Sequence, residues 1–269
     1  MNLMDRVALI TGAGSGIGQA TALSLAHRGC HLALADINEV GLAHTQTRAL
    51  TAGVHVSGHR LDVADRAAVA ALPAAVLKAH GRVDLLVNNA GVALAGHFDQ
   101  VSEADFDWLM EINFHGVVRM TRAFLPLLQA SDDARIVNVS SVFGLIAPPG
   151  QCAYSASKFA VRGFSNALRH ELAGTRVGVS VVHPGGVATA IARNARVPQG
   201  AAADEMRRRL GLAEKLLRMP PERAGEIIVR GIEKRRARIL VGWDATIISL
   251  IERLAPVSYW RILAPRLHA

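Results

Sequence analysis

Tyr154 and Lys158 stand four residues apart in Tyr154-Ser155-Ala156-Ser157-Lys158, within QCAYSASKFAVRGFSNALRHEL, a proline-free run of helical apolar spacing. Positions i and i+4 share one face of a helix, one turn apart. A cation held beside a phenol favours the phenolate and draws its pKa down from the ordinary ~10. A tyrosine tuned in this way can both give and take a proton near neutrality, as general acid-base catalysis requires. Ser141 follows the apolar strand Ile136-Val137-Asn138-Val139 and precedes Tyr154 by thirteen residues. Its hydroxyl can hydrogen-bond an oxygen on which charge develops. Ser140, its neighbour, suits backbone contacts instead. Tyr-x-x-x-Lys alone also occurs on solvated helix faces, so the pair acquires meaning only from the elements around it.

Those elements begin at the N-terminus. Arg6 to Ile10 reads as a short buried strand, followed by Thr11-Gly12-Ala13-Gly14-Ser15-Gly16-Ile17-Gly18 and then by a helical run ending at Gly29. Strand, glycine-rich turn and helix in that order form a phosphate-binding context. Glycine allows the tight turn and close backbone approach, and the helix N-terminus adds unpaired N–H groups and a favourable dipole. Gly12, Gly16 and Gly18 are spaced G-x-x-x-G-x-G, with Ser15 and Ile17 between them. A second strand, His31 to Asp36, ends in a carboxylate about 20 residues on, where an acidic side chain accepts hydrogen bonds from an adenosine ribose. Asp36 would repel a 2′-phosphate, and neither Ser15 nor Ile37 offers a cation to receive one. The expected cofactor is therefore NAD rather than NADP. Asp36 and Asn38 also compete to cap the helix that follows.

Taken together, the chain resembles the short-chain dehydrogenase/reductase family in its single-domain form of roughly 250 residues. The motifs that carry the resemblance are TGAGSGIG at 11–18, Asp62-Val63, NNAG at 88–91, Asn113, Ser141, YSASK at 154–158 and PGGVAT at 184–189. They run in the family's order over about residues 5–190, with looser likeness to about 242. The resemblance implies a catalytic set of Asn113, Ser141, Tyr154 and Lys158. Tyr154 is the acid/base, and Lys158 both tunes it and contacts the nicotinamide ribose. Asn113, within a long helical run, holds a water that links Lys158 to solvent. Asp62 and Val63 meet the adenine edge, and Asn89 and Ala90 approach the adenosine ribose while Asn88 braces strands. Pro184, Gly185, Val187 and Thr189 face the carboxamide and pyrophosphate. His183 reads as a strand-terminal side chain rather than a base, and Cys152 as a small apolar filler near the substrate pocket.

Apolar strands at 6–10, 32–36, 54–61, 83–88, 135–139, 177–183 and 238–242 alternate with helical stretches, a pattern of parallel strands with right-handed crossovers. The expected fold is α/β: a doubly wound, Rossmann-type three-layer sandwich with a seven-stranded parallel sheet. Residues 1–269 are expected to form a single NAD(P)-binding domain. A substrate lid spans about 187–220 and a C-terminal helical extension about 243–269. The lid carries Ile191, Val197, Met206, Leu210, Leu212, Leu216 and Leu217, which favour a lipophilic secondary alcohol or ketone over a polyol.

The net charge of +8 lies in the last third, where residues 190–269 hold 16 Lys and Arg against 8 Asp and Glu. No aromatic interleaving or recognition motif accompanies these charges, so solvated helix faces are favoured over nucleic acid. The two cysteines, Cys30 and Cys152, have neither metal nor disulfide spacing, and no metal is expected. No apolar run reaches membrane-spanning length, and the first strand leaves no room for a signal peptide. The expected setting is the cytoplasm. Residues 243–269 are expected to contact another subunit of a homodimer or homotetramer, with peripheral membrane contact as the alternative. A catalytically silent dinucleotide-binding or membrane-associated protein of the same fold is the second functional reading. The presence of all four catalytic-set residues argues against it.

Overall fold

The computed structural model describes residues 1–198, 211 and 216–268. Seven strands form one parallel sheet: β1 (Val7–Thr11), β2 (His31–Asp36), β3 (Val56–Arg60), β4 (Leu85–Asn88), β5 (Ala134–Val139), β6 (Val177–Pro184) and β7 (Arg238–Val241). Their order is β3-β2-β1-β4-β5-β6-β7. The chain winds outward from β1 to β3, returns to the centre at β4 and winds the other way. Such a reversal leaves a crevice at the carboxyl ends of β1 and β4, where open α/β sheets place their ligands.

Every residue of β1 and of β5 is buried. That follows from helices on both faces of the sheet, which make strands read as continuous apolar runs. Ala8 and Ile10 belong to one core with α1 (Gly16–Ala26), α2 (Glu39–Leu50) and α7 (Pro221–Glu233). Leu9 points the other way. It joins a core with Val69 and Val76 of α3 (Arg66–His80), Phe124 and Leu128 of α5 (Gly116–Ala130), and Leu168 of α6 (Cys152–Glu171). The expected three-layer, doubly wound architecture is therefore realised, with strand limits that differ from the sequence reading by a residue or two.

One expected element differs. The helix predicted across Asn113 is α4 (Glu103–Met110) and α5 joined by a π-helical turn at Glu111–His115. The wider turn carries Asn113 into the interior, with no exposed surface. Single π-turns interrupt α-helices mostly where a side chain has a task. At the C-terminus, α8 (Trp243–Leu254) and α9 (Tyr259–His268) are two helices within the segment where a helical extension is expected. Among the described residues no helix is long and apolar enough to cross a membrane, and no three His, Cys, Asp or Glu side chains converge as a metal site.

Candidate active site

The glycine turn sits at the crevice. Gly12 has φ +65°, a region open to glycine. At Gly18 a Cβ would lie 2.0 Å from the Gly12 carbonyl oxygen, so only glycine lets α1 approach the turn this closely. Asn38, Asp65 and Ser102 cap α2, α3 and α4 through their side chains, whereas Ser15, which precedes α1, makes no cap hydrogen bond. The first-turn N–H groups of α1 thus keep their donors, as a phosphate site needs. Ile17 packs against the core below.

Thr11 organises this turn, a role the sequence reading did not assign. Its buried hydroxyl accepts from the N–H groups of Asn89 (3.0 Å) and Ala90 (3.1 Å). The Asn89 side chain returns two bonds, to the carbonyls of Thr11 (3.0 Å) and Gly12 (3.1 Å). Asn88 braces strands as expected, donating to Asn138 at 2.8 Å and to Thr121 at 3.1 Å. Asp36 accepts from the N–H groups of Gly14 (2.7 Å) and Asn38 (2.8 Å). Asn38, not Asp36, caps α2. Ile37 is exposed, Val63 is buried, and Asp62 accepts from the Ala64 N–H at 2.8 Å. On the far wall, Thr189 reaches across to Gly16, where a Cβ would stand 3.1 Å from its methyl. The loop from Pro184 to Thr189 is pinned by the Gly185 N–H donating to Val241 and the Gly186 N–H donating to Asp244 (2.5 Å). Val187 is buried and bridges to Met219. Asp244 lies in the first turn of α8, so the C-terminal extension supports the site.

Tyr154 and Lys158 project from α6 beside the end of β5. Lys158 Nζ lies 5.6 Å from the Tyr154 ring centre and donates to the Val139 carbonyl at 3.3 Å. An ammonium has three donors, so further N–H groups remain for other acceptors. The Asn113 amide accepts from the Val92 N–H (2.8 Å) and donates to the Val92 carbonyl (3.0 Å) and the Ser157 hydroxyl (3.2 Å). Ser157 in turn donates to the Tyr154 carbonyl at 2.7 Å. A Cβ at Gly91 would lie 3.1 Å from Asn113 Oδ1 and 3.4 Å from Lys158 Nζ. Asn113 and Lys158 therefore face the same space above Gly91. Ser157 was missed in the sequence because a serine one residue before Lys158 has no signature of its own.

The electrostatics correct one expectation. Burial pushes the Tyr154 phenol up to about 12, and the hydrogen bond with Ser141 works against that rise. Burial likewise brings Lys158 down to about 8. Within the protein alone, desolvation outweighs any pull of the lysine on the tyrosine, because removing an ion from water costs more than a distant partner returns. Cys152 is a second correction: it is exposed rather than a packed filler. It lines an apolar groove of about 590 Å³ with Ala147, Pro148, Pro149, Phe159 and Trp260.

The segment in which the lid is expected to begin is anchored at Arg196. Arg196 exchanges backbone hydrogen bonds with Ala93 and Ala95, pairs with Asp105 at 2.8 Å and stacks 3.7 Å over the Trp108 ring. Met206, Leu210 and Leu212, expected in the lid, lie outside the described residues.

Comparisons with known proteins agree with this fold. The family profile of short chain dehydrogenases matches residues 6–200. SadH of Mycobacterium tuberculosis is 47% identical over 265 residues, covering 96% of this chain and 94% of that protein. A short chain dehydrogenase/reductase from Burkholderia phymatum, solved in complex with NAD, superposes with TM-score 0.87 at 34% identity, covering 94% of this chain and 95% of the other. An alcohol dehydrogenase from the archaeon Thermococcus sibiricus, complexed with 5-hydroxy-NADP, gives TM-score 0.74 at 28% identity over 88% and 94% of the two chains. With its Rossmann-type sheet, its glycine turn and this breadth of likeness, the chain belongs to the short-chain dehydrogenase/reductase family of oxidoreductases.

Proposed function

We propose that the protein transfers a hydride between NAD and a lipophilic secondary alcohol or ketone, with Tyr154 as the acid/base. The observation that carries this reading is the meeting of Tyr154, the Ser141 hydroxyl and Lys158 at the carboxyl end of β5, across the crevice from the glycine turn. The residues present fit a dinucleotide. The turn at Gly12, Ser15, Gly16, Ile17 and Gly18 would hold its phosphates, and Asp36 a ribose. Ile37, Asp62, Val63, Asn89 and Ala90 would surround the adenosine half, while Lys158, Pro184, Gly185, Val187 and Thr189 would surround the nicotinamide half. When bound, the cofactor supplies or accepts the hydride.

The protein's own part is the proton. Burial holds Tyr154 as the phenol, the form that protonates the oxygen of a ketone being reduced. In the oxidative direction the same oxygen takes the hydroxyl proton of the alcohol. A positive charge arriving beside the ring lowers the tyrosine pKa toward that task. The Ser141 hydroxyl accepts from the Phe143 N–H at 3.1 Å and its hydrogen bonds the Tyr154 oxygen, from which it would turn to the substrate oxygen as charge gathers there. Asn113 fixes Val92 and Ser157 and borders the space at Lys158 through which protons are relayed.

The preference for NAD rests on Asp36, whose charge opposes a 2′-phosphate. The lipophilic substrate is supported by the apolar side chains Ile191, Leu216 and Leu217 on the expected lid side. Trp243, Ile247, Leu250 and Leu254 form an exposed apolar stripe on α8, which supports a homo-oligomer built on the C-terminal extension. NAD-linked turnover across secondary alcohols from 2-propanol to 2-decanol, with polyols alongside, tests the reading. Turnover rising with chain length is expected. A better polyol overturns the substrate class, and silence across the whole panel overturns the activity.

A further inference from the structure

His183 is wholly buried at the carboxyl end of β6, in register with Leu240 of β7. Its Nδ1 lies 2.9 Å from the Ser141 carbonyl oxygen. A carbonyl only accepts, so Nδ1 carries the hydrogen and the lone pair of the neutral ring falls on Nε2. Nε2 is buried and meets no donor. Protonating it would place a second N–H and a charge where nothing accepts them. Burial accordingly brings the ring down to about 4, with the positive charges of Arg238 and Arg162 adding to the fall and the bond to Ser141 opposing it. The imidazole is neutral at pH 7, in one tautomer.

This ring is one of several holds on Ser141. The serine carbonyl takes the Gly144 N–H at 3.0 Å as well as the imidazole, and its hydroxyl takes the Phe143 N–H at 3.1 Å. With the acceptor side of the hydroxyl engaged, its orientation follows the peptide plane that His183 fixes from behind. A valine or isoleucine would fill a buried strand end without leaving an orphaned ring nitrogen. The donor at Nδ1 is what the histidine adds.

We propose that His183 is a positioning residue for the reaction, its Nδ1–H holding the Ser141 peptide so that the serine hydroxyl points at the substrate oxygen beside Tyr154. The inference rests on the reading of Ser141 and Tyr154 given above. Two experiments decide it. In wild-type protein with ¹⁵N-labelled histidine, assigned by loss of the signal in His183→Asn, the ring is expected as the neutral Nδ1–H tautomer at pH 7. An Nε2–H tautomer or a doubly protonated ring overturns the proposal.

The second compares His183→Leu with His183→Asn, whose amide nitrogen reaches about where Nδ1 stands. It uses the panel alcohol of highest kcat/KM, the NADH dissociation constant and Tm. His183→Leu is expected to lower kcat about tenfold, the scale of a small misplacement of a reacting group, with KM and NADH binding within twofold. His183→Asn is expected to recover most of the kcat. Equal losses in both variants, or a loss mirrored in NADH binding, assigns His183 to packing and overturns the proposal. Should the leucine variant not fold, His183→Gln replaces it, since its amide reaches the Nε2 position instead. Tyr154→Phe runs in parallel. If it is inactive while His183→Leu is fully active, the positioning role alone fails. If it is active, the reading of the site fails, and the inference with it.

Discussion

The two ends of the parallel sheet are built on opposite principles. At the amino end, Asp84 just before β4 has a fully buried carboxylate that accepts from Arg6 (3.3 Å), Arg82 (3.0 Å), Ser131 (2.6 Å) and the Val7 N–H (2.9 Å). Asp132, just before β5, pairs with Arg6 and Arg82. Three strands are thus stapled at their starts by charges that satisfy one another. At the carboxyl end the buried polar groups include Thr11, Asn88, Asn113, Lys158 and His183. These meet amides, hydroxyls and carbonyls rather than opposite charges, and acceptors at Asn88 Oδ1 and His183 Nε2 remain unpaired. Closed networks rigidify, whereas incompletely satisfied ones raise stakes locally. The contrast assigns stability to the amino end and chemistry to the carboxyl end.

Two substitutions break that contrast most directly. Tyr154→Phe removes one oxygen from the carboxyl end and is expected to cut turnover about 10³-fold, ~4 kcal/mol of barrier. NADH binding and Tm should stay close to wild type. Steady-state kinetics beside a fluorescence titration checks this, and retained turnover would refute the assignment. Asp84→Ala is the mirror case. It leaves the buried Val7 N–H and Ser131 hydroxyl without an acceptor, while Arg6 and Arg82 keep Asp132, with an expected cost of about 3 kcal/mol in a urea unfolding curve. Any protein that remains folded should bind NADH normally, because Asp84 lies a full strand away from the glycine turn. A loss of NADH affinity in the folded fraction would show that the two ends are coupled.

The same contrast explains what could be read in the sequence. Strands, turn and helices at the carboxyl end were legible because a glycine turn after an apolar strand and a Tyr-x-x-x-Lys helix have local spacing that chemistry demands. Neither the Thr11 clasp on Asn89 and Ala90 nor the reach of Asp244 back to Gly186 has any local signature. Each joins residues far apart in the chain, and only the sheet order brings them together. Asn113 was placed on the right helix but in the wrong geometry, since a π-turn leaves the apolar periodicity almost unchanged. The expected lysine effect on Tyr154 failed for another reason. Spacing reveals a neighbour, but burial, which decides the balance, depends on the whole fold. The amino-end staple was invisible because Arg6, Asp84 and Asp132 are single charges at strand starts.

Acid should act on His183 at the carboxyl end and on Asp132 at the amino end in different windows. His183 has an ordinary pKa of 6.5 brought down to about 4 by burial. The unfolded chain therefore takes up a proton that the folded chain refuses, and stability falls as pH drops from about 6.5 to about 4. The ceiling for this group is ~3 kcal/mol, and it contributes nothing above pH 6.5. His80 is lowered in the same direction by burial, with a smaller effect because water reaches it. Asp132 acts in the same direction but in a lower window. Its hydrogen bonds with Arg6 and Arg82 hold it well below the ordinary 3.8, so its stabilisation is whole above that pH and is lost only beneath it. Urea unfolding at successive pH values should show His183→Asn flattening the slope between pH 6.5 and 4. Asp132→Asn should lower stability by a constant amount above about pH 4 and flatten the slope only below it. Reversal of the two windows would break the division.

The smallest expected effect concerns cofactor choice, and it isolates charge from geometry at the carboxyl end. Two of the roughly four lone-pair sites of the Asp36 carboxylate are taken by the Gly14 and Asn38 N–H groups. Those bonds hold the glycine turn, so a substitution there loosens the turn for either cofactor. Asp36→Asn keeps one acceptor oxygen and removes the charge. Weakening of the turn lowers NADH and NADPH affinity together and cancels in their ratio. What does not cancel is repulsion of a 2′-phosphate, a like-charge interaction near the surface that is worth about 1–2 kcal/mol and shrinks with salt. The NADH-to-NADPH preference is therefore expected to fall about tenfold at low ionic strength and less at high salt, as read by paired fluorescence titrations. A wild-type preference for NADPH, or a ratio that Asp36→Asn leaves unmoved, would mean that Asp36 serves the turn alone and that cofactor choice is made elsewhere.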